Sequence, residues 1–553
     1  MIDLMVDLWY KNAIVYCLDV ETFMDANGDG IGDFSGLTQR LDYLNGIGIN
    51  CIWLLPFYPT PNRDNGYDVI DYYNVDHRLG TLGDFVEFSR QARGRGIKVI
   101  VDLVVNHTSN QHPWFQQARR DRNSKYRNFY VWSDERPADA SDEVIFPGVQ
   151  ENIWTYDEQA EAYYLHRFYA HQPDLNIANP AVREEIAKIM GFWLELGVSG
   201  FRIDAAPFLI ELKGIEEQAE VVDRHAYLQE LREFLSWRRG DAILLAEANV
   251  STDLIPEYFG DGNRMHMLFN FIGNQRMFLA LARQSAEPLI QGMQSLPQIP
   301  HTGQWVNFTR NHDELDLGRL SDAEQQELCQ ALNVPEAAWI YQRGLRRRIA
   351  PLLNGDQRRI SLAYSLMFTL PGTPVLRYGQ EIGMGDDLSL EERTSIRTAM
   401  QWSDEPNGGF STVPAEELVR PVLSGGQYGF ERINVARQQR DPGSLLNTVE
   451  RMIRTRKNCP EFGWGDWEII HTNLPQVFAH RCTWRGGVVV AIHNLAAEAC
   501  TVTLDVNADE SRHLCDLFGD HLYEPFSDGA HRIPLEGYGY RWFRLLRERC
   551  DNT

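Results

Sequence analysis

Glu195-Leu196-Gly197-Val198-Ser199-Gly200-Phe201-Arg202-Ile203-Asp204-Ala205-Ala206-Pro207 is the run on which the fold turns. It predicts a short buried strand that ends in a charged pair. A bare charge inside a protein costs several kcal/mol, on the order of the whole stability of a domain. Two readings account for the pair. It is a structural ion pair, or Asp204 is a catalytic carboxylate at a barrel mouth that Arg202 keeps ionised. The surrounding chain favours the second.

Outward from this run, strand-like segments alternate with helical ones. The segments are Ile14–Leu18, Cys51–Leu55, Val99–Val105, Val198–Ile203, Ala242–Ala246, Met265–Phe271, Trp305–Phe308 and Thr373–Tyr378. Repeated strand–helix units imply parallel strands, and eight of them close into a (β/α)8 TIM barrel. The interval after the third strand is too long for one connection, so 107–174 is expected to be an inserted lid domain. Barrel then covers 1–106 and 175–458, with a long excursion at 381–442. Beyond residue 458 short alternating runs such as Val488–Ile492, Cys500–Leu504 and Tyr538–Leu545 predict a C-terminal antiparallel β-sandwich over 459–553.

The totals narrow the function. The chain has 553 residues and a formal charge of -24, which disfavours nucleic acid and anionic membrane surfaces as partners. Its eight cysteines form no CxxC pair and read as thiols of a reducing, cytoplasmic compartment. The start, Met1 to Asp7, lacks a secretion signal, and no apolar run is long enough to span a membrane. A small neutral ligand suits such a chain, and a homo-oligomer stays open. No organic cofactor is expected.

Chemistry in a barrel sits where strands end. The third strand ends Asp102-Leu103-Val104-Val105-Asn106-His107, the fourth at Arg202 and Asp204, the fifth at Glu247, and the seventh at Asn311-His312-Asp313. Three acids from three strands thus meet at one rim. Two carboxylates about 5 Å apart suit a retaining glycosidase. Asp204 would attack the anomeric carbon. Glu247, after the apolar Ile243 to Ala246, would keep its proton through desolvation and act as acid and base. Asp313 would stabilise charge on the sugar, and His107 and His312 would bond its hydroxyls or serve as buried imidazoles. A separate run, Asp25-Ala26-Asn27-Gly28-Asp29-Gly30-Ile31-Gly32-Asp33, spaces oxygen ligands like a calcium loop. The side chains of Asp25, Asn27, Asp29 and Asp33 and the carbonyl of Ile31 could hold Ca²⁺; a polar turn is the alternative.

The runs 102–107, 200–204, Glu247 and 311–313, with Gln172-Pro173-Asp174-Leu175-Asn176, resemble the signature regions of the α-amylase family in order and spacing. By this resemblance Asp204 is the nucleophile, Glu247 the acid/base and Asp313 the transition-state stabiliser. Within the family the chain most resembles members that interconvert maltose and trehalose by intramolecular glucosyl transfer. The likeness lies in Trp53 to Pro59, Ser109 to Phe115, Tyr258 to Gly262 and Arg397 to Trp402. The first strand, Gln380, Ala399 and Ile177 depart from that pattern, and the trio does not. A hydrolase of short α-glucosides is the nearest alternative, and a silent sugar-binding homologue a remoter one. The resemblance further implies an Asp64–Arg397 pair gripping the terminal glucose, with Tyr67 stacking on it and Phe146 touching it from the lid. It also implies a second structural Ca²⁺ held by Asn106, Asp174, Glu211 and the carbonyls of Phe208 and Leu209. The substrate would be a small α-linked di- or oligosaccharide.

Overall fold

A computed structural model describes residues 8–138, 144–211, 213, 223–504, 512–519, 522–523 and 530–547. Eight parallel strands close into a barrel: β1 (Val15–Leu18), β2 (Cys51–Leu54), β3 (Lys98–Leu103), β4 (Gly200–Ile203), β5 (Ile243–Ala246), β6 (Met267–Phe269), β7 (Gln304–Phe308) and β8 (Thr373–Arg377). These are the eight segments read from the sequence, trimmed by one or two residues at half of their ends and extended by one at Lys98 and Gln304. They are apolar throughout because both faces are buried. Alternate residues divide between two cores. Val15, Cys17, Trp53, Ile100, Leu245 and Phe308 fill the barrel interior. Tyr16, Leu18, Ile52, Val101, Phe201 and Leu244 pack outward against the helices.

That alternation places the charges. Ile100 faces inward, so Asp102, two residues on, does too; Leu245 does the same for Glu247. Asp102 is paired with Arg202 in the β3–β4 register, and Arg202 with Leu245 in the β4–β5 register. Gly200 is required where the strands come close: a Cβ there would lie 2.5 Å from the carbonyl oxygen of Ile243. After Asp204 the backbone turns through Ala205 at φ +48°, a left-handed conformation costing about 1–2 kcal/mol in a residue with a side chain. This turn leads the chain off the strand end and leaves Asp204 at the rim.

Between β3 and β4 the chain forms a three-stranded antiparallel sheet, Trp132–Ser133, Ala162–Leu165 and Trp154–Asp157, then rejoins the barrel through a bridge of His107 with Asp174. A helix at Pro180–Glu195 follows, capped by Asn179 with Pro at its first turn. An insertion that the sequence reading missed follows β7. It is a small sheet of Leu315–Asp316, Gly344–Leu345 and Trp339–Ile340. The excursion after β8 holds the short 3-10 helix Glu392–Ile396.

At the C-terminus a six-stranded antiparallel sheet faces a two-stranded one, Cys500–Leu504 with His531–Leu535. Their inner faces share one core, including Val490, Ile492, Val502, Ile533 and Phe543. The sandwich is tied to the barrel helix Gln357–Thr369. Trp542 donates its indole N–H to Ser365 Oγ at 2.8 Å, and His493 bonds the same hydroxyl at 2.9 Å. Seven cysteines are free thiols, and Cys550 lies outside the described residues. Among the described residues no helix is long and apolar enough to cross a membrane.

Candidate active site

Arg202 is the hub of the rim. It is 1% exposed and reaches three carboxylates with one guanidinium. Nη1 bonds Asp204 at 2.6 Å and lies 3.3 Å from Asp102; Nη2 bonds Glu247 at 2.6 Å. Asp102 is further held by the Trp53 indole N–H at 2.8 Å and the Tyr67 hydroxyl at 2.6 Å. The Tyr67 ring stacks on His312, and its hydroxyl meets His312 Nε2 at 2.6 Å. His312 Nε2 lies 3.2 Å from Asp313 Oδ2.

A cavity of about 290 Å³ opens on this cluster. It lies at the small end of ligand pockets, which run from about 300 to 1,000 Å³. Asp204, Glu247 and Asp313 all line it, as do Asp64, Tyr67, His107 and Phe146. Arg202, His312 and Arg397, expected to touch substrate, do not line it. They stand behind the wall and orient the groups that do. Arg397 gives Nη2 to Asp313 at 2.8 Å and Nε to the His312 carbonyl at 2.8 Å.

The partner expected for Asp64 is therefore corrected. Asp64 pairs with Arg393, at 3.0 Å, and not with Arg397. Arg393 also reaches Asp313 at 2.7 Å, so it spans one end of the cavity between two acids. It lies over the rings of Phe146 and Tyr341, at 5.0 and 6.0 Å. The neighbouring Glu392 accepts hydrogen bonds from the hydroxyls of Tyr169 and Tyr341 at 2.7 and 2.8 Å. One short turn thus joins lid, barrel and the insertion after β7. The signal for Arg393 was a second arginine four residues before Arg397, one helical turn away.

Burial dominates the electrostatics. It raises Asp204 to about 7 even though Arg202 pulls the other way. Arg202 was expected to keep Asp204 ionised; it pulls in that direction, and it is shared with Asp102 and Glu247. Glu247 is likewise raised to about 7 by burial, against Arg202. Asp313 differs. Burial pushes it up, but the cations of Arg393, Arg397 and Arg202 outweigh that and hold it well below the usual carboxylate range. Burial pulls His107 down to about 4 and holds His312 well below its ordinary value, so both rings are neutral near pH 7.

The two calcium sets fare differently. In the loop at 25–33, Asp25 accepts N–H groups from Gly28 at 2.7 Å and Gly30 at 2.8 Å, and Asp33 accepts from Ala26 at 3.0 Å and Gly36 at 2.7 Å. Asp29 stands exposed beside Asn27. Among the described residues no lysine or arginine pairs with these carboxylates. The side chains are hard oxygen donors of the kind Ca²⁺ takes, but Asp25, Asp29 and Asp33 do not bring their oxygens within 4.8 Å of one another in this arrangement. At the second set, Lys213 Nζ already bonds Asn106 Oδ1 at 2.6 Å and Asp174 Oδ2 at 2.7 Å. Glu211 is taken by Arg167 at 2.8 Å. Asn106, Asp174, Glu211 and the carbonyls of Phe208 and Leu209 therefore do not fit a calcium site. A third cluster, Asp223, His225 and Glu257, is bridged by Arg264.

Residues 19–465 match the alpha amylase catalytic domain, and 486–544 match the sucrose hydrolase-like C-terminal domain. The chain is 41% identical to a trehalose synthase of Thermus thermophilus over 97% of its own length, and spans 56% of that relative. It is 40% identical to the trehalose synthase/amylase TreS of Mycobacterium tuberculosis, covering 97% of this chain and 90% of that one. Among solved structures, an alpha-amylase from H. orenii superposes with a TM-score of 0.78 at 27% identity, covering 97% of this chain and all of the other. Barrel, rim acids and these likenesses lead to one conclusion: this chain belongs to the α-amylase family.

Proposed function

We propose that the protein is a retaining enzyme of α-glucosides that interconverts maltose and trehalose by intramolecular glucosyl transfer. The observation that carries this reading is the single guanidinium of Arg202 bonded at 2.6 Å to both Asp204 and Glu247, at the wall of a disaccharide-sized cavity. Two acids on one guanidinium are close enough for the short separation of retaining enzymes, about 5–5.5 Å.

Asp204 attacks the anomeric carbon and displaces the second glucose, while Glu247 gives its proton to the leaving oxygen. The β-glucosyl-enzyme forms. Glu247, now a base, takes a proton from a different hydroxyl of the glucose still held in the cavity, and the new α-bond forms as the Asp204 ester breaks. Asp313, kept ionised by Arg393 and Arg397, faces the positive charge on the ring. Asp64 and Arg393 hold hydroxyls of the non-reducing glucose, Tyr67 and Phe146 pack on it, and His107 bonds it. The lid at 107–174 excludes water, which decides transfer over hydrolysis. The loop residues Asp25, Asn27, Asp29, Asp33 and the Ile31 carbonyl would hold one structural Ca²⁺, which would stiffen the loop and take no part in the chemistry.

The test is the product profile from pure maltose. Trehalose is expected as the main product, with a minor share of glucose, and trehalose should return maltose. Glucose alone would make the protein a hydrolase, and an Asp204→Asn chain at full turnover would remove the nucleophile assignment.

A further inference from the structure

Lys213 is the one buried lysine at the seam between barrel and lid among the described residues. It is 5% exposed, and Asn106 and Asp174 are both 0% exposed. The three come from separate parts of the chain: Asn106 from just past β3, Asp174 from the lid's return, and Lys213 from the segment after β4. The lysine bonds both, at 2.6 and 2.7 Å, beside a direct contact of Asn106 Nδ2 with Asp174 Oδ1 at 3.4 Å. The other Asp174 oxygen accepts the Arg167 backbone N–H at 3.1 Å, and the Arg167 side chain neutralises Glu211. The two acids are thus balanced by two protein cations. A divalent ion added here would meet an ammonium already in place, and would find each acid already paired.

We propose that the Lys213 ammonium takes the place of a divalent cation at this junction, so that the seat of the lid is built from the chain's own charge and is independent of Ca²⁺. A tethered cation does not dissociate, and the seam keeps its geometry whatever the metal supply. The seam reaches the sugar cavity in one step. Asn106 Nδ2 lies 3.3 Å from His107 Nδ1, and His107 lines the cavity. Lys213 is therefore a positioning residue for His107. This rests on no particular reaction, and it is separate from the loop at 25–33.

The test uses the full chain carrying Asp25→Asn, which disables the loop site, with Lys213 either kept or changed to Gln. Calcium binding is read by isothermal titration with CaCl2, and stability by thermal unfolding in EDTA and in millimolar CaCl2. With Lys213 in place, no calcium uptake and one unfolding temperature in both buffers are expected. Lys213→Gln, which leaves a neutral oxygen donor, should unfold several degrees lower in EDTA, take up one Ca²⁺ per chain, and recover when calcium is added. Calcium uptake by the Lys213 chain that Asp174→Asn abolishes would overturn the proposal. So would a Lys213→Gln chain that loses no stability, or one that calcium does not restore. If Lys213→Gln does not fold, the titration of the Lys213 chain decides alone.

Discussion

Asp204 and Glu247 share one arginine and are both raised to about 7 by burial. The proposed mechanism has Asp204 ionised and Glu247 protonated in the working state. Activity should fall below neutrality as Asp204 gains a proton and fall above it as Glu247 loses one. A narrow bell in kcat/KM centred near pH 7 is expected, and its two limbs belong to the pair rather than to either acid. Asp204→Asn should lower kcat by about 10³-fold or more, with maltose binding kept. Stability should respond with a definite sign. Glu247 is raised above its unfolded value near 4.5, so its contribution is intact below that pH and is lost as pH rises through about 7. Glu247→Gln should therefore raise the melting temperature at pH 8, by roughly 2 °C for a chain of this size, and leave it unchanged near pH 4. Asp313 has the opposite sign: its contribution is present at neutral pH and is lost on acidification.

Among the elements, the short turn Glu392–Ile396 does more than its length suggests. Arg393 closes one end of the cavity between Asp64 and Asp313, and Glu392 ties down Tyr169 and Tyr341. Removing Arg393 leaves Asp64 facing the cavity without its cation, while Asp313 keeps Arg397. Arg393→Ala should raise KM for maltose by about 30-fold or more, since truncating one partner of a buried charge pair costs about 2–5 kcal/mol. Tyr169→Phe with Tyr341→Phe is gentler. It removes two hydrogen bonds to a carboxylate and loosens the lid without touching the trio. Total maltose consumption should change little while the glucose share of product rises, as read by chromatography. An unchanged glucose share would separate lid anchoring from water exclusion.

At the scale of the molecule, the C-terminal sandwich buries Trp542 and His493 against the helix Gln357–Thr369. That helix precedes β8, whose end leads to the excursion carrying Arg393 and Arg397. Trp542→Ala should cost about 3–5 kcal/mol, through the cavity the indole leaves, while Ser365 keeps its bond to His493. The expected result is a lower temperature of thermal inactivation with normal kcat at room temperature in the surviving fraction.

Much of this was legible in residue order. Eight short apolar runs between helical stretches specify parallel strands buried on both faces, and acids just past three of them specify a rim, because burial and strand period are local properties. The loop at 25–33 shows its oxygens in one continuous run. What the order of residues cannot carry is which distant charge meets which. Arg393 and Arg397 are equal in the sequence, and only the fold gives Asp64 to the first and Asp313 to both. Lys213 gave no signal, since a lysine in a connecting segment is ordinarily solvated. The tertiary structure gave it a role by bringing Asn106 and Asp174 around it, and it set Asp204 on a guanidinium that Asp102 and Glu247 also share. Pairing of charges depends on distance in space and on the exclusion of water, and both are set only when the chain has closed.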